Sequence, residues 1–230
     1  MKAKRILGRG LAVTLALALS TMLLATAIHI PATASWVMLP LMEHCAPPED
    51  TGLPAEEYAP VVNMIISYLK GDDIPFQHIF TANGTEYAAF NAKEQHHMAD
   101  VQGLFALCRR IGLGCAGTII LIGLALRKKM PWRTFRRTLL ATLGIVTAVI
   151  ILACIDFDSL FVLFHRIAFT NDLWLLNPQT DLLIRLMPIE FFISYAAMIG
   201  CCWLTGMTVA LTVSIFAQRF RKMGVPHDIH

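Results

Sequence analysis

Residues 111–155 read IGLGCAGTIILIGLAL, RKKMPWRTFRR, TLLATLGIVTAVIILACI, and this sequence of apolar, basic and apolar blocks decides the fold. Ile111–Leu126 and Thr138–Ile155 carry no formal charge. A helix needs about 20 predominantly apolar residues to cross about 30 Å of hydrocarbon. The second block has nearly that length. The first reaches it by recruiting the residues just before it, which sets spans at 106–126 and 138–155. The link between them, 127–137, holds Arg127, Lys128, Lys129, Arg133, Arg136 and Arg137 without one acid. Short links rich in Lys and Arg stay on the cytoplasmic side.

Working outward, Leu11–Ile30 and Phe191–Gln218 are two further stretches without formal charge. They set spans at 11–30 and 189–217. Lys2, Lys4, Arg5 and Arg9 precede the first, and Arg219, Arg221 and Lys222 follow the last. The three basic clusters agree with one topology: four crossings, a cytoplasmic N-terminus at 1–10, a cytoplasmic link at 127–137 and a cytoplasmic tail at 218–230. Segments 31–105 and 156–188 then face outward. The larger is acidic, with Glu43, Glu49, Asp50, Glu56, Glu57, Asp72, Asp73 and Glu86 against Lys70 and Lys93.

Composition agrees. The 230 residues are 56% hydrophobic and 15% charged, where soluble domains run near a quarter charged. So short a chain has no core large enough to absorb that much apolar sequence, whereas a bilayer has. The fold class expected is an all-α integral membrane protein of four transmembrane helices, with a mainly helical extracytoplasmic domain between the first two and a short β-hairpin inside it. Ala32-Thr33-Ala34 resembles a signal-peptidase site, so the first span reads either as a cleaved signal or as an anchor. Its apolar core is longer than a usual signal core, which favours the anchor. Of six cysteines only Cys45 lies clearly outside the spans, so no disulfide framework is implied.

In the outward domain, Pro47, Pro48, Gly52 and Pro54 mark an irregular start. Tyr58, Val61, Val62, Ile65, Ile66 and Leu69 recur at helical spacing, with Gly71 where a C-terminal cap is expected. Phe76–Ala82 and Thr85–Phe90 flank Asn83-Gly84, the pattern of a hairpin with a primed turn. Asn91 and Glu94 form a capping-box pattern that opens a helix running into the second span. Glu94, His97 and Asp100 share one face of that helix, and His96 is turned about 100° away. In the second outward segment, Leu160, Phe161, Leu163, Phe164, Ile167 and Ala168 form an amphipathic stretch suited to the membrane interface, and Trp174 suits the same depth. Thr180–Met187 reads as a short interfacial helix before Pro188.

Each polar residue has a plain reading and a functional one. His97 and His165 are either satisfied interfacial histidines or functional groups, since ionisable residues near a membrane are costly. Glu94 reads first as a helix cap. Asp100 either orients His97 or counters the helix dipole. Arg109 and Arg110 sit where they would touch lipid phosphate or pair with Asp156, Asp158 or Glu190. His96 and His97 are adjacent and cannot both aim at one metal, so the spacing is poor for ligation. No serine elbow or nucleotide-binding glycine loop is present, and Cys45 has no base nearby in sequence.

Two strings carry a resemblance. Glu94-x-x-His97-Met98-x-Asp100-Val101 resembles the first motif of the lipoprotein intramolecular transacylase (Lit) family. Phe164-His165-x-x-Phe169-x-Asn171-Asp172-x-Trp174, followed by Pro178, Asp181-Leu182-Leu183-Ile184 and Pro188-x-x-Phe191-Phe192, resembles its second. An extra histidine at 96 and an arginine at 166 depart from the pattern. The resemblance implies a multi-pass enzyme of the bacterial cytoplasmic membrane, with its active site on the extracytoplasmic side. It would move the sn-2 acyl chain of a diacylglyceryl-modified lipoprotein to the α-amine of the N-terminal cysteine, leaving a lyso-form lipoprotein. It implies His97 and His165 as the catalytic pair, with Asp100, Glu94, Asn171, Asp172 and Trp174 supporting. Arg109, Arg110, Phe164, Arg166 and Phe169 would meet substrate or lipid. Partners implied are those lipoproteins and membrane phospholipids; no cofactor, metal or nucleic acid is expected. A hydrolase releasing fatty acid, and a non-catalytic lipid- or peptide-binding protein, fit the same residues.

Overall fold

The computed structural model describes residues 2–82 and 84–223, the last three as backbone alone. Nine helices and one hairpin are found among them: α1 (Lys2–Thr33), α2 (Ser35–Cys45), α3 (Pro48–Thr51), α4 (Ala55–Lys70), β1 (Ile79–Ala82), β2 (Thr85–Ala88), α5 (Ala92–Leu126), α6 (Trp132–Ile155), α7 (Phe157–Ala168), α8 (Leu182–Leu186) and α9 (Ile189–Met223). Four of them, α1, α5, α6 and α9, are long and apolar enough to cross a membrane. The residues of the expected tail after 223, and Asn83 of the expected turn, lie outside the described residues.

The 35 residues of α5 rise about 52 Å at about 1.5 Å each, well beyond about 30 Å of hydrocarbon. Its first turns carry charge, with Lys93, Glu94 and Asp100, whereas 111–126 carry none.

The chain divides into two compact units. One comprises 1–27, 110–151 and 199–230. Its core is Ala12, Ala16, Ala27, Leu126, Phe135, Leu139, Trp203 and Met207. Small residues allow close helix approach without a hydrophobic drive between helices. Thus a Cβ on Gly206 would stand 2.9 Å from Leu23 Cδ2. Trp203 Nε1 donates to the Ser20 carbonyl, 3.1 Å, across the same contact.

The other unit comprises 28–109 and 152–198. Here α4 turns Tyr58, Val61, Val62, Ile65, Ile66 and Leu69 inward, the face read from the sequence. They meet Met38 and Met42 of α2, Phe76, Phe90, and Leu182, Leu183 and Leu186 of α8. Gly71 ends α4 in the left-handed region, φ 91°, as expected of a C-terminal glycine. Tyr58 donates through its hydroxyl to the Ala46 carbonyl, 2.8 Å, and burial pushes its pKa up.

Three local readings are corrected. The irregular start marked by Pro47, Pro48, Gly52 and Pro54 holds one helical turn, Pro48–Thr51, and follows a helix over Ser35–Cys45. The hairpin is shorter than its flanking apolar runs, with Ala82 opposite Thr85 and Ile79 opposite Ala88, because Phe76 and Phe90 leave the ladder to join the core. The helix expected over 180–187 shrinks to Leu182–Leu186, since Thr180 and Asp181 are used in side-chain bonds ahead of it.

Candidate functional site

The site lies within the second unit and begins with the cap of α5. Glu94 N–H donates to Asn91 Oδ1, 3.1 Å, and Asn91 N–H donates to Glu94 Oε2, 2.8 Å, so the capping box is complete. Glu94 does more than cap. Its other oxygen, Oε1, accepts the Leu183 N–H at 2.7 Å, 89 residues away, and the residue is 1% exposed. Burial pushes its pKa up; the N–H groups of Leu183 and Asn91 pull it back.

Three further bonds tie the same stretch of α5 to the segment before α8. Asn91 Nδ2 donates to Asp181 Oδ1, 2.9 Å. Lys93 Nζ donates to the Leu175 carbonyl. Asn171 Nδ2 donates to Asp100 Oδ2, 2.9 Å. Asp181, almost fully buried, also accepts from Asn177 N–H and the Thr180 hydroxyl, each 2.8 Å. The helix start and the 171–183 segment thus form one polar seam.

His97 sits one turn after Glu94 on the same face, 7% exposed, while His96 points to solvent and donates to its own helix at the Ala92 carbonyl, 2.6 Å. His165 comes from α7, whose start is capped by Asp156 accepting the Ser159 N–H at 3.0 Å. The two rings stand 6.3 Å apart, centroid to centroid. Aromatic rings enclose them: Phe161 is 4.1 Å, Trp174 5.0 Å, Phe164 5.3 Å and Phe169 5.5 Å from His165, and Phe169 is 5.2 Å from His97.

The hydrogen bonds fix one tautomer. His165 Nδ1 is 2.8 Å from the Phe161 carbonyl, which can only accept. Nδ1 therefore carries the proton and Nε2 a free lone pair. His97 Nδ1 is buried with no partner, which is uncommon for a buried polar atom. Burial lowers the pKa of both rings. For His97 the neighbouring His165 and Lys93 lower it further, and Asp100 opposes them. Both imidazoles are accordingly neutral at pH 7.

Of the residues singled out in the sequence, His97, His165, Phe164, Phe169 and Trp174 meet as rings, and Glu94, Asp100 and Asn171 meet in the seam. Asp100 makes its bond to Asn171 rather than to His97, because Asn171 supplies an amide donor on the solvent side. Arg109 donates to the Lys70 carbonyl, 2.7 Å, at the exposed end of α4, and Asp156 is taken up by capping α7. Arg110, Arg166 and Asp172 are exposed and outside the ring cluster. The Lys93 and Asp181 bonds escaped the sequence reading of the site. Asp181 belongs to the string Asp181-Leu182-Leu183-Ile184, but nothing local in sequence tells that its partner is Asn91. Among the described residues no group of three His, Cys, Asp or Glu side chains has a metal-binding arrangement.

The family model described as "Lipoprotein intramolecular transacylase Lit" matches residues 13–192. No curated protein sequence matches. The fold is similar to the in meso structure of the membrane integral lipoprotein intramolecular transacylase Lit from Bacillus cereus, with 19% identity, TM-score 0.78, and 95% of this chain and 99% of that one covered. Two further structures of that enzyme, with one histidine replaced by arginine or by alanine, match at 18% identity and TM-score 0.80, each over 97% of this chain and over 97% and 99% of theirs.

Proposed function

This chain belongs to the lipoprotein intramolecular transacylase family, and from that premise we propose that it carries an acyl chain from oxygen to nitrogen within one lipoprotein, with His97 and His165 as the catalytic pair. The substrate is a lipoprotein whose N-terminal cysteine bears a diacylglyceryl group on sulfur. The product is the lyso-form, with the sn-2 chain now on the α-amine. Support comes above all from one observation: two histidines from separate segments meet at 6.3 Å, and one has its Nε2 lone pair fixed free.

The amine nitrogen attacks the sn-2 carbonyl carbon through a ring of about eight atoms, so holding donor and acceptor together is an orientation task. His165 Nε2 accepts the proton released from nitrogen. The neutral His97 ring, through its N–H, stabilises the oxyanion. The bond from carbonyl carbon to glyceryl oxygen then breaks, and the His165 imidazolium returns the proton to that oxygen. Burial that lowers the His165 pKa makes the imidazolium a stronger acid for this return. An ester becomes an amide, a downhill change. The surrounding Phe161, Phe164, Phe169 and Trp174 provide an apolar wall for the acyl chain.

The basic blocks at 2–9, 127–137 and 219–222 favour a cytoplasmic N-terminus and C-terminus, with the histidines on the outer face of the cytoplasmic membrane. A cysteine placed at position 57 is then expected to react in intact cells with an impermeant reagent, and one at 132 to stay protected.

The test of the chemistry is mass spectrometry of lipoprotein N-termini. His97→Ala and His165→Ala are each expected to lose lyso-form product by about 10²–10⁴-fold, the usual worth of general acid–base catalysis. A mixture of substrates, one with heavy acyl chains and one without, should give no heavy N-acyl chain on the light peptide. Heavy acyl transfer between peptides, or free fatty acid as the main product, would overturn the intramolecular reading.

A further inference from the structure

The link between α5 and α6 frames a cavity that the acyl transfer does not use. It measures about 400 Å³, within the range of small-molecule sites, and is lined by Arg9, Pro131, Trp132, Arg133, Thr134 and Arg137. All six belong to one compact unit. The link lies close against α1: a Cβ built on Gly8 would stand 3.9 Å from Pro131 Cγ. Arg133 and Arg137 are one turn apart on α6 and so share a face.

We propose that this cavity binds the phosphate headgroup of an anionic membrane lipid. Charge is the first reason. Three guanidinium groups line the cavity and, among the described residues, no carboxylate does. In sequence, the segments 1–27, 110–151 and 199–230 hold a single acid, Asp228, against many Lys and Arg. Guanidinium groups match phosphate oxygens in forked pairs. A second observation is independent of charge. The indole N–H of Trp132, a wall residue, is buried without an acceptor, and a phosphate oxygen is the acceptor it lacks. The third reason selects lipid over free phosphate. Immediately beyond Arg137 on α6, Leu140 and Ile145 are 54% and 68% exposed, an apolar surface along which acyl chains can lie.

The experiment is native mass spectrometry of the full-length protein in detergent, titrated separately with phosphatidylglycerol, phosphatidylcholine and inorganic phosphate. Wild type is expected to retain phosphatidylglycerol in preference to phosphatidylcholine. The triple variant Arg9→Gln/Arg133→Gln/Arg137→Gln should lose that retention by roughly 100-fold, about fivefold for each basic residue at a lipid surface. A control, Lys2→Gln/Lys4→Gln/Arg5→Gln, removes the same charge away from the cavity and should keep it. Should the triple variant fail to fold, Arg137→Gln alone is expected to weaken retention by about fivefold. Equal retention in wild type and either cavity variant overturns the proposal, as does equal loss in the control. So does equal retention of the two lipids, or tight binding of inorganic phosphate that displaces phosphatidylglycerol.

Discussion

Replacing Glu94 by alanine removes the acceptor for two backbone N–H groups at once. The Leu183 N–H is enclosed, with its residue 3% exposed, and water cannot take the place of Oε1. A buried donor left unpaired costs about 1–3 kcal/mol. The Asn91 N–H is at an exposed residue, so its loss is that of a helix cap, about 1 kcal/mol. Together the cost is about 2–4 kcal/mol. For a chain of this size about 2–4 °C accompanies each kcal/mol, so the apparent melting temperature in detergent should fall by roughly 4–16 °C. Activity should fall too, because the bond that fails sits one turn from His97 and ties its helix to α8. Glu94→Gln keeps one acceptor oxygen and should lose less. The comparison is Glu57→Ala, which removes the 2.7 Å pair with His78; both side chains there are about a quarter exposed, and such pairs contribute about 0–1 kcal/mol. Glu94→Ala that melts and turns over like Glu57→Ala would refute the assigned role of this carboxylate.

Both site histidines have pKa values below the ordinary value of about 6.5, so the unfolded chain binds their protons first and stability must fall as pH drops below that value toward the folded pKa; thermal melts of wild type and of His97→Gln/His165→Gln should converge in pH dependence only above about 6.5, and parallel curves below it would count against buried neutral rings. Trp174→Ala removes the ring 5.0 Å from His165 and should lower turnover more than it lowers melting temperature, with Trp174→Phe recovering part; unchanged turnover in Trp174→Ala would remove it from the site. Arg109→Ala breaks the exposed bond to the Lys70 carbonyl and should cost about 0.5–1.5 kcal/mol in thermal melts with product formation intact; loss of activity at unchanged stability would restore its reading as a substrate contact. Gly52→Ala should cost about 1–2 kcal/mol, since φ is 77° there and the new methyl would press on Arg185 Nη1, 2.9 Å away; an unshifted melting temperature would show the loop relaxing freely.

What was legible in the sequence follows from the range of the interactions. Apolar runs, the cap at Asn91 and the glycine at 71 act within a turn or two, and the helices they imply are present. The four membrane-length helices need only composition and length. Ser35–Cys45 carries a proline inside it, Pro40, and is a helix whose Met38 and Met42 reach the core. The hairpin was read too long because apolar residues at its flanks, Phe76 and Phe90, serve the core rather than the ladder.

The site shows the same division more sharply. That Glu94, His97 and Asp100 share a face is a matter of helical period, and the structure keeps it. Which partner each takes depends on a segment some 70 to 90 residues later in the chain, as with the 71-residue separation of Asp100 and Asn171. Asp100 next to His97 suggested a carboxylate orienting an imidazole, but an amide from the other segment claims the carboxylate. The consequence for the chemistry is direct. Among the described residues no carboxylate is hydrogen-bonded to either ring, and the tautomer of His165, the proposed base, is set by a backbone carbonyl, Phe161 O, which adds no negative charge to an apolar site. A ring so held stays neutral in the resting enzyme and gives its acquired proton back readily. In the proposed mechanism a carboxylate bonded to His165 would stabilise the imidazolium instead and slow the return step; Asp100, the carboxylate next to His97, is bonded to Asn171.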